Sequence, residues 1–283
     1  MRKDSVLIEC GEIATLELGS RETAHTTVLF LHGWLDNAAS FSSILPTLSS
    51  LDENLHLCAI DLPGHGHSFH KGDSSFYPFH DYIDDLHQLL MVLSPNRLVI
   101  VGHSLGALIA SCYSAAFPEH VTGLVQIEGF GPLAEAADKS VDRLRSGVLS
   151  RQRIRRKPAR SLDGLEQMTQ RRAQINNLEA ELIRPIVERG MRQQEETWQW
   201  QHDSHLQSDS LYRMSYEHAK AVTERIQCPQ LVILGDNGYS HLKHPPHTVH
   251  NRCEVVTIRG GHHCHLQDPQ AVTELIFGAL NKI

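Results

Sequence analysis

The chain has 283 residues, 41% of them hydrophobic and 21% charged, which gives enough length and apolar content for one large core with an insertion and argues against disorder. A net charge of −7 counts against a general nucleic-acid binder, and the six cysteines contain no Cys-x-x-Cys pair, so they read as reduced thiols rather than bridges. Val6-Leu7-Ile8 is too short for a signal-peptide core and nowhere do 18 apolar residues run together, so a soluble cytoplasmic protein without integral membrane association is expected.

Residues 5–18 hold two short runs around Cys10-Gly11-Glu12, the pattern of an antiparallel hairpin at a sheet edge. Thr26 to Leu31 is apolar enough for a strand buried on both faces, and it ends at His32-Gly33-Trp34. A second such strand, Leu55 to Ile60, ends at Asp61-Leu62-Pro63-Gly64-His65-Gly66-His67-Ser68. Between strands the period changes. In residues 80–93, Ile83, Leu86, Leu90 and Leu93 recur at helical spacing and Ser94-Pro95-Asn96 marks the stop.

The run Leu98-Val99-Ile100-Val101 then breaks into Gly102-His103-Ser104-Leu105-Gly106, and a helix-compatible stretch from Ala107 to Phe117 stops at Pro118. Strand, Gly-x-Ser-x-Gly and helix together describe a nucleophile elbow, whose tight backbone crossing leaves no room for a Cβ two residues to either side of the serine. The helix N-terminus beneath that serine favours developing negative charge. Another strand follows over Thr122 to Ile127, so strands and helices alternate as in an α/β fold with a mostly parallel sheet.

From 133 to 215 no strand-like run occurs, while Arg, Gln and Glu at helical spacing are frequent. Alternation resumes with Gln230 to Leu234, Glu254 to Ile258 and a final helix from about 269, so the polar segment reads as an insertion with the sheet continuing behind it. The six basic residues within 151–160 read as a solvated helix face.

Over essentially the whole chain these pieces resemble the α/β-hydrolase superfamily, which implies a core over 1–132 and 216–283 and a helical cap over 133–215. His32-Gly33-Trp34 resembles that family's oxyanion loop, Asp61 to Ser68 its D-x-P-G-x-G-x-S turn, and Gly102 to Gly106 its elbow. Gly261-His262-His263-Cys264-His265-Leu266-Gln267-Asp268-Pro269 is similar to its closing G-H-x-x-H-L-x-x-P segment. The cap sequence further resembles the serine hydrolase-like branch.

The chemistry asks for the same groups. A serine hydroxyl needs a neutral imidazole to take its proton, and the imidazole needs a carboxylate on its other nitrogen. Ser104 is the expected nucleophile, His262 the general base and then acid, and the N–H groups of Trp34 and Leu105 the oxyanion donors. Of the 20 histidines, His103 is expected to pack or hydrogen-bond, His32 to brace the oxyanion loop, and His263 and His265 to serve the closing loop. No metal or cofactor is expected: ligands crowded into 262–265 rarely close a tetrahedron, and no distant pair completes one.

The acid departs from the family pattern. Its common position, three residues after the glycine that ends the strand at 231–234, is here Gly238. Asp236 stands two residues early, within Asp236-Asn237-Gly238, which is strong turn chemistry by itself. Glu128 lies at the tip of the strand before it, where some members resembling haloalkane dehalogenases carry their acid. Glu128 is favoured and Asp236 is the alternative. The implied activity is carboxylesterase-like cleavage of an ester, thioester or related acyl bond of a small molecule. Carbon–carbon hydrolysis of a diketone, a small-molecule receptor with a vestigial triad, and nucleic-acid binding through 151–160 are the alternatives.

Overall fold

The computed structural model describes residues 1–157, 164–195, 197–243 and 253–283. The end of the basic run, 158–160, and part of the 133–215 insertion lie outside the described residues.

Eight strands form one sheet: β1 (Arg2–Ile8), β2 (Gly11–Leu18), β3 (Thr26–Leu31), β4 (Leu55–Ile60), β5 (Leu98–His103), β6 (Gly123–Ile127), β7 (Gln230–Gly235) and β8 (Cys253–Ile258). Their order is β1-β2-β4-β3-β5-β6-β7-β8; β1 and β2 pair antiparallel, β2 runs antiparallel to β4, and the rest are parallel. Every residue of β3 to β7 is buried, as their unbroken apolar runs require, while β1 and β8 are the half-exposed edges.

Helices cover both faces. On one, α2 (Asp81–Leu93) and α3 (Leu105–Ala116) bury Leu86, Leu89, Leu90, Leu93, Ile109 and Tyr113. On the other, α1 (Ile44–Leu51) and the C-terminal helix Pro269–Leu280 bury Ile44, Leu45, Leu48, Val272 and Ile276. Two-faced burial around a parallel sheet leaves the strand carboxyl ends as the place where loops can gather chemistry.

Between β6 and β7 the chain leaves the sheet through α4 (Ser140–Arg155), α5 (Leu165–Asn176) and α6 (Ala180–Gly190), then returns by α7 (Tyr216–Thr223). The segment is not wholly helical. An antiparallel hairpin, Met191–Gln194 with Thr197–Trp200, follows α6, and a two-residue parallel ribbon joins Ala134–Glu135 to Met214–Ser215. The hairpin escapes the sequence pattern because Arg192, Gln193 and Gln194 are all exposed and give no alternation.

The segment has a small core of its own, Met168, Ala173, Ile183, Ile186, Val187 and Met191, which also takes in Leu266 from the loop after β8. It seats on the loops that follow β3 and β4. Asn37 Nδ2 donates to the Ile186 carbonyl at 2.8 Å. Arg189 Nε lies 3.0 Å from both Asp61 carboxylate oxygens and its Nη2 2.9 Å from Oδ2. Asp61 also accepts from the Ala38 and His67 amides, each at 2.7 Å.

With Asp61 fully buried and Arg189 9% exposed, this ion pair is a lock whose loss strands a charge. Arg189→Met is expected to lower unfolding stability at neutral pH by about 3–5 kcal/mol in a urea titration. A change below about 1 kcal/mol would mean that the two amides alone satisfy Asp61.

Candidate active site

The elbow follows from close approach. Ser104, between β5 and α3, has φ 48° and ψ −114°, a backbone that side-chain-bearing residues rarely adopt. A Cβ on Gly102 would come within 2.5 Å of the Gly106 carbonyl and the Ala107 nitrogen, and one on Gly106 would overlap the Leu31 carbonyl. The strain is held by hydrogen bonds from Ser104 N to Ile127 O at 2.9 Å and from Gly106 N to His32 O at 3.1 Å.

His32 accepts the Leu62 N–H on Nε2 at 2.9 Å, so its proton sits on Nδ1, which donates to Gly33 O at 2.7 Å. Both nitrogens are used and burial lowers its pKa, so the ring braces the loop as a neutral group. Trp34 follows on that loop, half-exposed, with its indole Nε1 donating to Leu206 O at 3.0 Å. Leu105 is the first residue of α3, where an N–H has no acceptor within the helix.

The two candidate acids part company. Glu128, 2% exposed and itself at φ 47°, sits at the tip of β6 with Oε2 3.3 Å from His262 Nδ1. The amides of Gly235 and Tyr239 donate to its carboxylate at 2.7 and 3.2 Å. Burial alone would raise its pKa, but the hydrogen bonds from His262 and these amides outweigh it and hold the carboxylate below its usual range. Asp236 is exposed, and its Oδ1 accepts from Gly260 N at 2.9 Å and Asn237 Nδ2 at 3.0 Å, so it ties the β7 turn to the loop that carries His262. At Gly238 a Cβ would overlap the Glu128 carboxylate. The space that an acid on this turn would use is filled from β6.

Beneath His262 lies a polar knot that the sequence did not reveal. His103 Nε2 donates to the His262 carbonyl at 2.9 Å, and its ring lies 4.1 Å from that of His265. His265 Nε2 pairs with Ser40 Oγ at 2.8 Å. His263 Nε2 stands 3.5 Å from Asp36 Oδ2, and Arg172 of α5 holds Asp36 Oδ1 at 2.5 Å. Burial works against the Asp36 charge, but His263 and Arg172 overcome it and keep its pKa far below normal. Burial pushes His103 well down and His265 from 6.5 to about 3, so both are neutral. Asp36 stands four residues after His32, but nothing local ties it to residues 172 and 263.

Residues 26–269 match the family described as alpha/beta hydrolase fold. The chain belongs to the α/β-hydrolase family. This α/β-hydrolase is similar to a serine hydrolase-like protein of Danio rerio, 26% identical over 262 residues that cover 88% of this chain and 79% of that one. A pimeloyl-[acyl-carrier protein] methyl ester esterase of Pectobacterium carotovorum is 31% identical over 115 residues, 41% of each chain. The crystal structure of a hypothetical protein from Pseudomonas aeruginosa PAO1 matches with a TM-score of 0.87 and 27% identity, each chain covered completely.

Two cavities meet at Tyr239, and His262 lines the first of them. One, of about 740 Å³, is also lined by Asn176, Leu182, Arg259 and His263. Another of about 500 Å³ reaches both Trp34 and Leu105. Tyr239 lines both and lies 4.3 Å from the His262 ring. The second cavity lies against the start of α3 at Leu105 and Leu108. The basic run packs elsewhere: Arg151 and Arg155 lie over the Phe76 ring at 4.5 and 5.0 Å, and Lys157 donates to Gln207. Among the described residues, no helix is long and apolar enough to cross a membrane.

A buried histidine with a lowered folded pKa stabilises the fold above pH 6.5, and that stability is lost as pH falls through 6.5 towards about 3. His265→Gln is therefore expected to make the acid limb of a stability–pH curve shallower by about 1.4 kcal/mol per pH unit, read from urea midpoints between pH 4 and 6.5. An unchanged slope would show that His265 is protonated in the folded protein.

Proposed function

We propose that this α/β-hydrolase cleaves an ester, thioester or related acyl bond of a small molecule through Ser104, His262 and Glu128. The observation that carries the proposal is the Glu128 carboxylate against His262 Nδ1, reached from the strand tip beside the strained serine. In the proposed reaction Ser104 Oγ attacks the carbonyl carbon while His262 Nε2 takes its proton. Glu128 keeps the ring in the Nδ1–H tautomer and stabilises the imidazolium, remaining ionised because its hydrogen bonds favour the charge. The Trp34 and Leu105 amides receive the oxyanion. Collapse expels the alcohol or thiol with the proton from His262; water then attacks the acyl-serine, with His262 acting as base again.

The segment 133–215 acts as the cap in this proposal, supported by its seat on the loops after β3 and β4. The esterase named among the relatives supports an ester over a carbon–carbon bond. All six cysteines are free, which supports a reducing, cytoplasmic setting.

Ser104→Ala is expected to lower kcat on p-nitrophenyl esters by on the order of a million-fold and to abolish fluorophosphonate labelling. Glu128→Gln should cost about ten-thousand-fold, while Asp236→Asn, which only loosens a turn, should stay within about tenfold of wild type. Collapse of the Asp236 variant with survival of the Glu128 variant would transfer the acid role to Asp236. Continued turnover by Ser104→Ala would remove the mechanism altogether.

A further inference from the structure

The cavity that reaches Trp34 and Leu105 has an uneven wall. Much of it is aromatic or aliphatic, with Tyr77, Phe79, Leu108 and Leu206, but two arginines also line it, Arg143 from α4 and Arg213 just before the Met214–Ser215 ribbon. They are not equivalent. Arg143 Nε holds Glu135 at 2.9 and 3.2 Å and its Nη2 a Glu135 oxygen at 2.5 Å, so its charge is matched. Arg213 is half-buried, and its Nε is shut from solvent without a hydrogen-bond partner. Burial and the neighbouring Arg143 act against its charge; Glu135 and Asp209 favour it from nearby without offsetting them, and neither hydrogen-bonds the Nε.

The other charged groups here do not fill that gap. Glu135 is engaged by Arg143, and Asp209, which also lines the cavity, is exposed with its carboxylate 3.8 Å from Arg153. His80 is the remaining titratable side chain of the wall besides the tyrosines. A desolvated guanidinium with an unmade N–H costs stability unless an acceptor arrives from outside the chain. The cost makes sense as specificity: an unpaired buried donor discriminates strongly against a ligand that lacks the matching acceptor.

We propose that the substrate carries an oxyanion remote from its scissile acyl bond and that Arg213 is the specificity-determining residue that receives it. The inference rests on the Ser104 hydrolase proposal and adds the substrate class, an acyl compound ending in a carboxylate or a phosphate. The planar fork of an arginine suits either group, and the apolar wall suits the carbon chain that bears it. Arg143, tied to Glu135, keeps a second positive edge on the same wall without needing the ligand.

The test compares the p-nitrophenyl monoester of adipic acid with its methyl-capped neutral counterpart, and measures binding of adipate and of hexyl phosphate to Ser104→Ala by titration calorimetry. Wild type is expected to favour the free acid by about ten- to a hundredfold in kcat/KM, mainly through KM, and Arg213→Gln to lose that preference. In the Ser104→Ala background, Arg213→Gln should weaken the bound probe at least about tenfold while Arg213→Lys keeps part of the affinity; the probe that binds identifies carboxylate or phosphate. Equal kcat/KM for the two esters, or probe binding indifferent to Arg213, overturns the oxyanion assignment and leaves the hydrolase proposal standing. Arg213-dependent binding with no turnover of either ester does the reverse, and neither binding nor turnover overturns both.

Discussion

A single backbone hydrogen bond, from the Ser104 amide to the Ile127 carbonyl, joins the tips of two neighbouring strands at the point where both leave the sheet. The parallel register opposes His103 to Ile127, so the next residue on each strand, Ser104 and Glu128, emerges side by side. Both are non-glycine residues with positive φ, and each amide is tied to the adjacent strand, Ser104 to β6 and Glu128 to Ile233 of β7. The sheet thereby supplies the constraint that keeps two unfavourable backbones in place. Everything proposed about the chemistry depends on it, because the same register fixes where the hydroxyl and the carboxylate point.

The third group, His262, comes from a loop, and loops are held less firmly than strands. Here the loop is pinned from several directions: Glu128 on the ring, His103 on the backbone carbonyl, Asp236 on Gly260 and the Tyr239 ring alongside. Below it the Asp36 cluster reaches up to Arg172 of α5, so the loop and the segment above it share one polar network. With Arg189 on Asp61, two arginines of the segment end on buried aspartates of the core. Each pair is directional, so together they tie the segment to the core at two separate points.

Much of the fold was legible because its signals are local. Unbroken apolar runs marked the buried strands, the spacing of Leu86, Leu90 and Leu93 marked α2, and glycines around Ser104 marked the elbow. The preference for Glu128 also had a local basis, since Asp236-Asn237-Gly238 reads as a turn in its own right, and Asp236 does bond within that turn and to Gly260. What stayed hidden depends on pairs far apart in sequence. Arg189 with Asp61, and Arg172 with Asp36, leave no periodic trace. The Met191–Trp200 hairpin is a two-stranded ribbon whose first strand exposes Arg192, Gln193 and Gln194 in a row and so gives no alternation.

With the Glu128 carboxylate reaching His262 from β6, the turn after β7 is left with a supporting part. The turn after β7 contributes to Glu128 only two main-chain amides, Gly235 and Tyr239, and those are supplied by any residues that can trace the same curve. Gly238 must stay small, but no side chain of that turn touches His262 in the role of an acid. The side chains of the turn serve the site in other ways, Asp236 by holding Gly260 and Tyr239 by packing on the His262 ring. A substitution at Asp236 or Tyr239 would therefore disturb the His262 loop without touching the Glu128 carboxylate.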